Sequence, residues 1–517
     1  MIVHAPTQSL LFKAPDPFLI RGLLPKSRTV VHPDYNIACK HTLASTKVLR
    51  NIGIDAPAPI LSQYDWPGKF TALPHQKAMA EFLTMNRRAF NLSQMGTMKT
   101  APALWAADWL MKQGSVHKAL ILSPLSTLER VWGNEIFDVL MHRICAIVHG
   151  SKDQREKALA TDADFYILNH DGVGIKWLRD AIRKRPDIDL VIVDEGSMFR
   201  NHDVKKFDYL SEMIRPDQRV WWLTGTPCPN SPTDAWAQVK IINPTNVPKF
   251  FGAFQRLTMY KESQFKWSPK PEAYKIAHAA MQPAIRFLKK DCIDLPPVTV
   301  EKRQAELTPE QKVAFKNMQL LMIAEAKQTQ ITAVNAADKI GKLRQILCGA
   351  IKDPVTEDYI TLPHAPRLSV LMEAIEGADA KVIVIVPFKG IIQALEKEIG
   401  KKYSVAVLNG DVSPKRRDQI IRAFKSEEHP HVLLCHPKVM AHGLNLTEAD
   451  VLIFYAPIYS NDEFEQVIER FNRAGQINKM TIVKIGAHRL EWDIYAALEG
   501  KRITQDNILK LYQSVIE

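Results

Sequence analysis

AFNLSQMGTMKT, residues 89 to 100, is the stretch from which the fold can be read. A short apolar run passes through a turn of small residues into Lys99 and Thr100, which open a helical stretch reaching Trp109. A buried strand feeding straight into a helix is the unit of a layered α/β sheet. The helix start presents free backbone N–H groups and the positive end of its dipole, a suitable seat for a phosphate. Lys99 can reach β- and γ-phosphates, and the Thr100 hydroxyl can ligate Mg2+. The usual form of such a loop is G-x-x-x-x-G-K-[ST]. Here Ser93 and Met98 stand at the two glycine positions, while Gly96 and Thr97 lie between them. By itself the loop also reads as an ordinary strand-to-helix turn with a solvated lysine.

Outward from this stretch the same alternation recurs. Between Leu73 and Pro244 the runs AFNLS, KALILSP, DFYILNH, DLVIVDE and VWWLTGTP are separated by amphipathic helical stretches. Apolar runs of this length fit strands buried on both faces of a parallel sheet. A second series starts near Lys381, with KVIVIVP, SVAVLNG, HVLLCHP, VLIFYAP and MTIVKIG. The expected fold class is α/β, with two doubly wound parallel-sheet lobes at 71–244 and 367–490. The segment 245–366, rich in Lys, Gln, Ala and Met and broken by LPP at 295–297, is expected to form helical protrusions and a linker. Residues 1–70 read as a small, proline-punctuated accessory module with a short helix near His41 to Gly53, and 491–517 as a helical brace.

Composition narrows the class. The 517 residues carry 68 Lys and Arg against 56 Asp and Glu, a net charge of +12. That excess suggests a polyanionic partner. A hydrophobic fraction of 46% excludes a mainly disordered chain. No run of eighteen apolar residues, ~18 being the length a spanning helix needs, is present, and the N-terminus lacks a secretory apolar core. The six cysteines are widely spaced, without a C-x-x-C pair, so reduced thiols in a cytoplasmic setting are expected.

Three further stretches carry chemistry. DLVIVDEG (189–196) delivers Asp194 and Glu195 at a strand end, one suited to hold Mg2+ and the other to orient and deprotonate a water. VWWLTGTP sets Thr224, Gly225 and Thr226 at another strand end. In NDEFEQVIERFNRAGQ (461–476), Phe464, Val467, Ile468 and Phe471 make one apolar helix face, and Gln466, Arg470 and Arg473 fall opposite. Paired arginines suit the charge on a transferring phosphoryl group. Singly, each stretch also fits a plain turn or a solvated face.

Their order is more specific. LPHQ, MGTMKT, SPLSTLERVWGNE, ILNHDGV, VDEGS, LTGTP, HGLNLTEAD and QVIERFNRAGQ follow one another as do the motifs of superfamily 2 helicases. The chain resembles the Swi/Snf-related translocases most, through Trp132, Glu135, KKDCIDLPP, KLRQILCGA and the ending R-x-x-R-x-G-Q. The resemblance spans about Leu73 to Trp492 and implies two RecA-like lobes hydrolysing ATP with Mg2+ between them. It implies that Gln76 reads the adenine and that the loop Gly96, Thr97, Met98, Lys99 and Thr100 binds phosphate, with Thr100 and Asp194 on the metal. Glu195 would activate water, Gln466, Arg470 and Arg473 would complete the site, and Thr224, Gly225, Thr226 and Gly443 would couple it to DNA. Pro124, Ser126, Asn169, His170, His436, Lys438 and Asn445 lie on motifs that face the DNA backbone in the family.

The chain departs from the family at Met98, at Gly196-Ser197 where Ala-His is usual, and at Met440-Ala441 where Gly-Gly is frequent. The implied function is a monomeric DNA-dependent ATPase that tracks duplex or branched DNA irrespective of sequence, in replication, recombination or repair. A strand-separating or branch-migrating helicase is the near alternative. A non-hydrolysing DNA clamp on a degenerate motor fold is the alternative of another class.

Overall fold

The computed structural model describes residues 1–516 except 230, 263–266, 295, 329–332, 353–358, 441–445, 473–475, 477 and 501–504. The chain divides into two compact units, Met1–Cys292 and Ile293–Glu517.

In the first unit, seven described strands form one parallel sheet in the order Ala284–Ile285, Arg88–Asn91, Arg219–Leu223, Ile188–Asp194, Lys118–Ser123, Phe165–Asn169, Cys145–Ile147. Successive side chains of one strand enter different cores. Leu120, Leu122, Val191, Val193, Val220 and Trp222 join one cluster; Ala119, Ile121, Leu190, Ile192, Trp221 and Leu223 join the other. With a period of two and both faces apolar, helices must cover both sides, which is the doubly wound arrangement. The helix Thr100–Lys112 is buried almost all round, from Ala101 to Leu110. Its one buried charge, Asp108, accepts from Tyr64 Oη at 2.7 Å, His142 Nε2 at 2.9 Å and Arg143 Nε at 2.7 Å. Burial pushes that carboxyl up, but these bonds and Lys112 outweigh it and hold it below the ordinary range.

The second unit repeats the plan with six strands, all parallel, in the order Val298–Gln304, Met480–Gly486, Ala449–Phe454, Lys381–Ile385, Val432–Cys435, Val405–Leu408. Ile383, Ile385, Leu452 and Phe454 face one cluster, and Val382, Val384, Val451 and Ile453 the other. The ten strands expected from the apolar runs are all present.

Three further sheet strands correct the expectation. Cys145–Ile147 and Ala284–Ile285 are edge strands of two or three residues, too short for a periodic signal. Val298–Gln304, in the segment expected to be helical, pairs along its length with Met480–Gly486. Its charged residues fit an edge position, where one side of the strand stays in water. The same segment also holds the long helices Pro309–Gln328 and Ala333–Cys348.

Residues 1–52 hold a four-stranded antiparallel sheet, ordered Ile2–His4, Ser9–Phe12, Ile37–Lys40, Arg28–Thr29, with helices Pro17–Leu23 and Leu43–Asn51. The second helix lies where one was expected; the sheet was not foreseen. Its core is Leu10, Phe12, Ala14, Ile20, Ile37, Cys39, Leu49 and Ala56. All six cysteines are free thiols. Among the described residues no helix is long and apolar enough to cross a membrane.

Candidate nucleotide site

Because the first sheet is parallel, its carboxyl ends lie on one edge, where ligands of such folds bind. Three adjacent strands deliver the predicted residues there: Arg88–Asn91 leads to the Lys99 loop, Arg219–Leu223 to Thr224–Thr226, and Ile188–Asp194 to Asp194 and Glu195. The threonine turn therefore lies between the phosphate loop and the carboxylate pair.

The loop is braced on several sides. Thr97 Oγ1 donates to the Gln94 carbonyl at 2.7 Å, and His75 Nε2 lies 3.2 Å from the Thr97 carbonyl. Ser93 Oγ accepts from Phe287 N–H at 3.1 Å, and Gln94 Oε1 from Lys289 N–H at 2.8 Å. Lys99 Nζ donates to the carbonyls of Ser93 at 2.9 Å and Gln94 at 3.1 Å, so its ammonium lies over the loop it belongs to. Gly96 has φ +80° and Met98 φ +55°. The position before the lysine thus demands left-handed backbone, which explains the usual glycine; Met98 adopts it at a steric cost of ~1–2 kcal/mol. Gln76 is buried, accepting from Leu73 N–H at 3.0 Å and donating to the Met98 carbonyl at 3.4 Å. It ties the preceding helix to the loop.

Asp194 is bonded through both oxygens: Trp132 Nε1–H donates to Oδ2 at 2.9 Å and Glu195 N–H to Oδ1 at 3.0 Å. Burial first, then the charge of Glu195, raise its carboxyl to about 6, while Trp132, Lys99 and the Glu195 amide pull the other way. Glu195 takes left-handed backbone, φ +48°. Gly196 has a packing reason: a Cβ there would lie 2.0 Å from Trp222 Nε1. The buried indole of Trp222, bonded to Gln238 Oε1 at 2.9 Å, occupies the space that the family's alanine would need. At Gly225 a Cβ would meet Met95 N at 2.9 Å, so the threonine turn touches the backbone of the phosphate loop. Asn91 Nδ2, Thr224 Oγ1 and Asn169 Oδ1 are buried at these strand ends and, among the described residues, have no hydrogen-bond partner.

Other predicted positions fall less uniformly. Pro124 and Ser126 are half-buried just past strand Lys118–Ser123. His170 is buried, its Nε2 2.8 Å from the Asp194 carbonyl and its ring edge-on to Phe199. Burial lowers its pKa to about 4, so the ring is neutral and Nε2–H donates. In this conformation it braces the carboxylate strand from inside instead of meeting a ligand at the surface. In the second unit, Gln466 and Arg470 are half-buried on helix Asn461–Phe471, whose Phe464, Val467 and Phe471 enter the core. His436 is half-buried and Lys438 exposed at the end of strand Val432–Cys435. Arg473, Gly443 and Asn445 lie outside the described residues.

Trp132 is the functional side chain that motif reading left without a role. It sits in a π-helical turn, Leu128–Gly133, fully buried, and such turns gather at functional sites. Nothing local in the sequence announces its bond to Asp194.

Residues 70–352 match the family described as SNF2-related domain, and residues 366–475 the helicase conserved C-terminal domain. Protein p41 of Acyrthosiphon pisum secondary endosymbiont phage 1 is 24% identical over 465 residues, covering 85% of this chain and 98% of its own length. An uncharacterized ATP-dependent helicase of Mycoplasma genitalium is 25% identical, over 76% of this chain and 37% of its own. A DNA repair and recombination protein RAD54-like of Danio rerio is 25% identical, over 78% of this chain and 62% of its own. The chain thus spans nearly all of the phage protein but little more than a third of the mycoplasmal one. Among solved structures, the Sulfolobus solfataricus SWI2/SNF2 ATPase core in complex with dsDNA is 22% identical, covering 87% of this chain and 96% of that one, with a TM-score of 0.41.

Proposed function

The chain belongs to the SNF2-related domain family, and from that premise we propose that it is a translocase that moves along duplex or branched DNA. It is an ATPase of the helicase class, an ATP-dependent, DNA-associated motor. The observation that supports the finer reading most is the convergence, on three neighbouring strand ends, of the Lys99 loop, the Thr224–Thr226 turn and the Asp194–Glu195 pair.

In the proposed cycle the Lys99 ammonium exchanges the Ser93 and Gln94 carbonyls for the β- and γ-phosphate oxygens of ATP. Glu195 orients the attacking water and takes its proton. The residues present fit Mg2+: the Thr100 hydroxyl and Asp194 would hold it, and an ion that keeps waters and phosphate oxygens needs no dedicated cage. Among the described residues no cluster of three or more His, Cys, Asp or Glu competes for that role. When bound, Mg2+ would neutralise charge on the phosphates. Burial and Glu195 raise the Asp194 carboxyl, and a bound Mg2+ would favour its charged form. Gly225, lying against Met95, makes the threonine turn sensitive to any shift of the loop. Gln466, Arg470 and Arg473 are proposed to act on the same nucleotide.

The test is ATP turnover with duplex, forked and single-stranded DNA, together with Glu195→Gln. Stimulation by duplex, and a Glu195→Gln variant that binds ATP without turning it over, are expected. Stimulation by single strands alone refutes duplex tracking, and efficient strand displacement would move the assignment to an unwinding helicase. Unchanged function in the variant would indicate a clamp.

A further inference from the structure

The N-terminal sheet, outside the matched family segments, has two unlike faces. Strand register sets them. Leu10 pairs with Cys39, and Phe12 with Ile37; these side chains are buried on the helix-covered face. By alternation the opposite face carries two rows across the strands: Ile2, Leu11, Ala38 and Arg28, then His4, Ser9 and Lys40. Lys13, the residue that follows strand Ser9–Phe12 and lies two residues beyond Leu11, extends this face. Ile2, His4, Lys13, Arg28 and Lys40 are all exposed.

The charge on this face has one sign. Residues 1–40 hold five Lys and Arg and only two acidic residues, Asp16 and Asp34. Asp16 caps helix Pro17–Leu23, accepting from the amides of Phe18 and Leu19. Asp34 lies beside His32. Neither belongs to the two rows, and among the described residues Lys13, Arg28 and Lys40 have no ion-pair partner. Lys40 is level with Ser9 and Arg28 with Leu11, so the three cations differ in height along the strand direction by ~7 Å steps while lying on successive strands. Three exposed cations spread over three neighbouring strands of one open sheet face complement a polyanion, and they do not resemble the mixed-sign surface of a solvated module.

We propose that this face is a second DNA-contacting surface, with Lys13, Arg28 and Lys40 on backbone phosphates and Ile2 and Leu11 in apolar contact between them. It deepens the motor reading and rests on it: a sequence-independent grip outside the motor would keep the protein on its track when the motor lets go. Contacts of this kind fix position without reading bases.

The experiment compares the full chain with its Lys13→Gln/Arg28→Gln/Lys40→Gln variant in binding a fluorescent duplex without nucleotide, from 50 to 200 mM salt. Each lost phosphate contact lowers the salt slope by ~0.9 on duplex and ~0.7 on a single strand. Three contacts predict a slope ~2.7 shallower on duplex and a fall in affinity ~40-fold smaller over that salt range. A single-stranded probe tells which form of DNA the face holds. A Lys13→Arg/Lys40→Arg variant should keep the parent slope, and DNA-free ATP turnover should be the same in all three proteins. Identical slopes in parent and glutamine variant, with parent turnover normal, overturn the sheet-face proposal alone. Absence of DNA binding and turnover in the parent overturns the motor reading and this proposal together.

Discussion

Replacing Asp194 by asparagine should make the heat resistance of the nucleotide-free protein less dependent on pH. Burial and the adjacent Glu195 raise this carboxyl from 3.8 to about 6. The native state therefore holds the proton more tightly than the unfolded chain does, and stability falls as pH rises from about 4 through about 6. At ~1.4 kcal/mol per tenfold change in proton affinity, the full loss is ~3 kcal/mol. Between pH 5 and 8, the range easily measured, roughly half of that loss is expressed, or ~3 °C in Tm at ~2 °C per kcal/mol. The asparagine has no proton to lose. It does face two donors, Trp132 Nε1–H and Glu195 N–H, with a single oxygen, an offset independent of pH. The informative quantity is therefore the Tm of Asp194→Asn minus that of the parent, followed across pH without nucleotide or divalent cation. It should rise by ~3 °C from pH 5 to 8. Parallel pH profiles would refute the claim that Asp194 is held in a site that resists its charge.

Trp132→Phe removes a hydrogen bond to a buried carboxylate and should destabilise the first unit by ~1.5–3 kcal/mol. It should also steepen the pH profile just described and lower kcat, read by denaturation and steady-state turnover. Gly196→Ala must displace the Trp222 indole, costing ~2–4 kcal/mol through overpacking and the lost bond to Gln238. Trp222→Phe in the same chain should recover part of that, seen as a favourable coupling in a double-mutant cycle of denaturation midpoints. Met98→Gly relieves a left-handed methionine and should stabilise the protein by ~1 kcal/mol net of added chain entropy, seen as a higher Tm.

What the sequence made legible follows from scale. Strands buried on both faces announce themselves as apolar runs, so DLVIVDE and KVIVIVP could be placed directly. Their ends then located Lys99, Asp194 and Thr224, because a parallel sheet gathers carboxyl ends at one edge. The N-terminal sheet escaped because its strands are two to four residues long, too short for a period of two to establish itself. Val298–Gln304 escaped because an edge strand need not be apolar.

The residues at 196 and 222 show a different limit. Gly196 is, by sequence alone, a departure from a motif whose usual residue is alanine. In the fold it is the complement of Trp222, twenty-six positions away in sequence and one strand over in the sheet. The two residues are complementary, since a tryptophan at 222 forbids a side chain at 196 and a glycine at 196 leaves room for the indole. His170 is a similar case. A motif assigns it to a class of contact, whereas its surroundings make it a neutral donor to the Asp194 carbonyl. Motif order identifies which strand ends meet, because backbone topology is shared across a family. What each side chain does there depends on neighbours contributed by other strands. Trp132 bonds the Asp194 carboxylate, His170 its carbonyl, and Trp222 fills the space that a side chain at 196 would take, so neighbours from elsewhere in the chain fix this strand end.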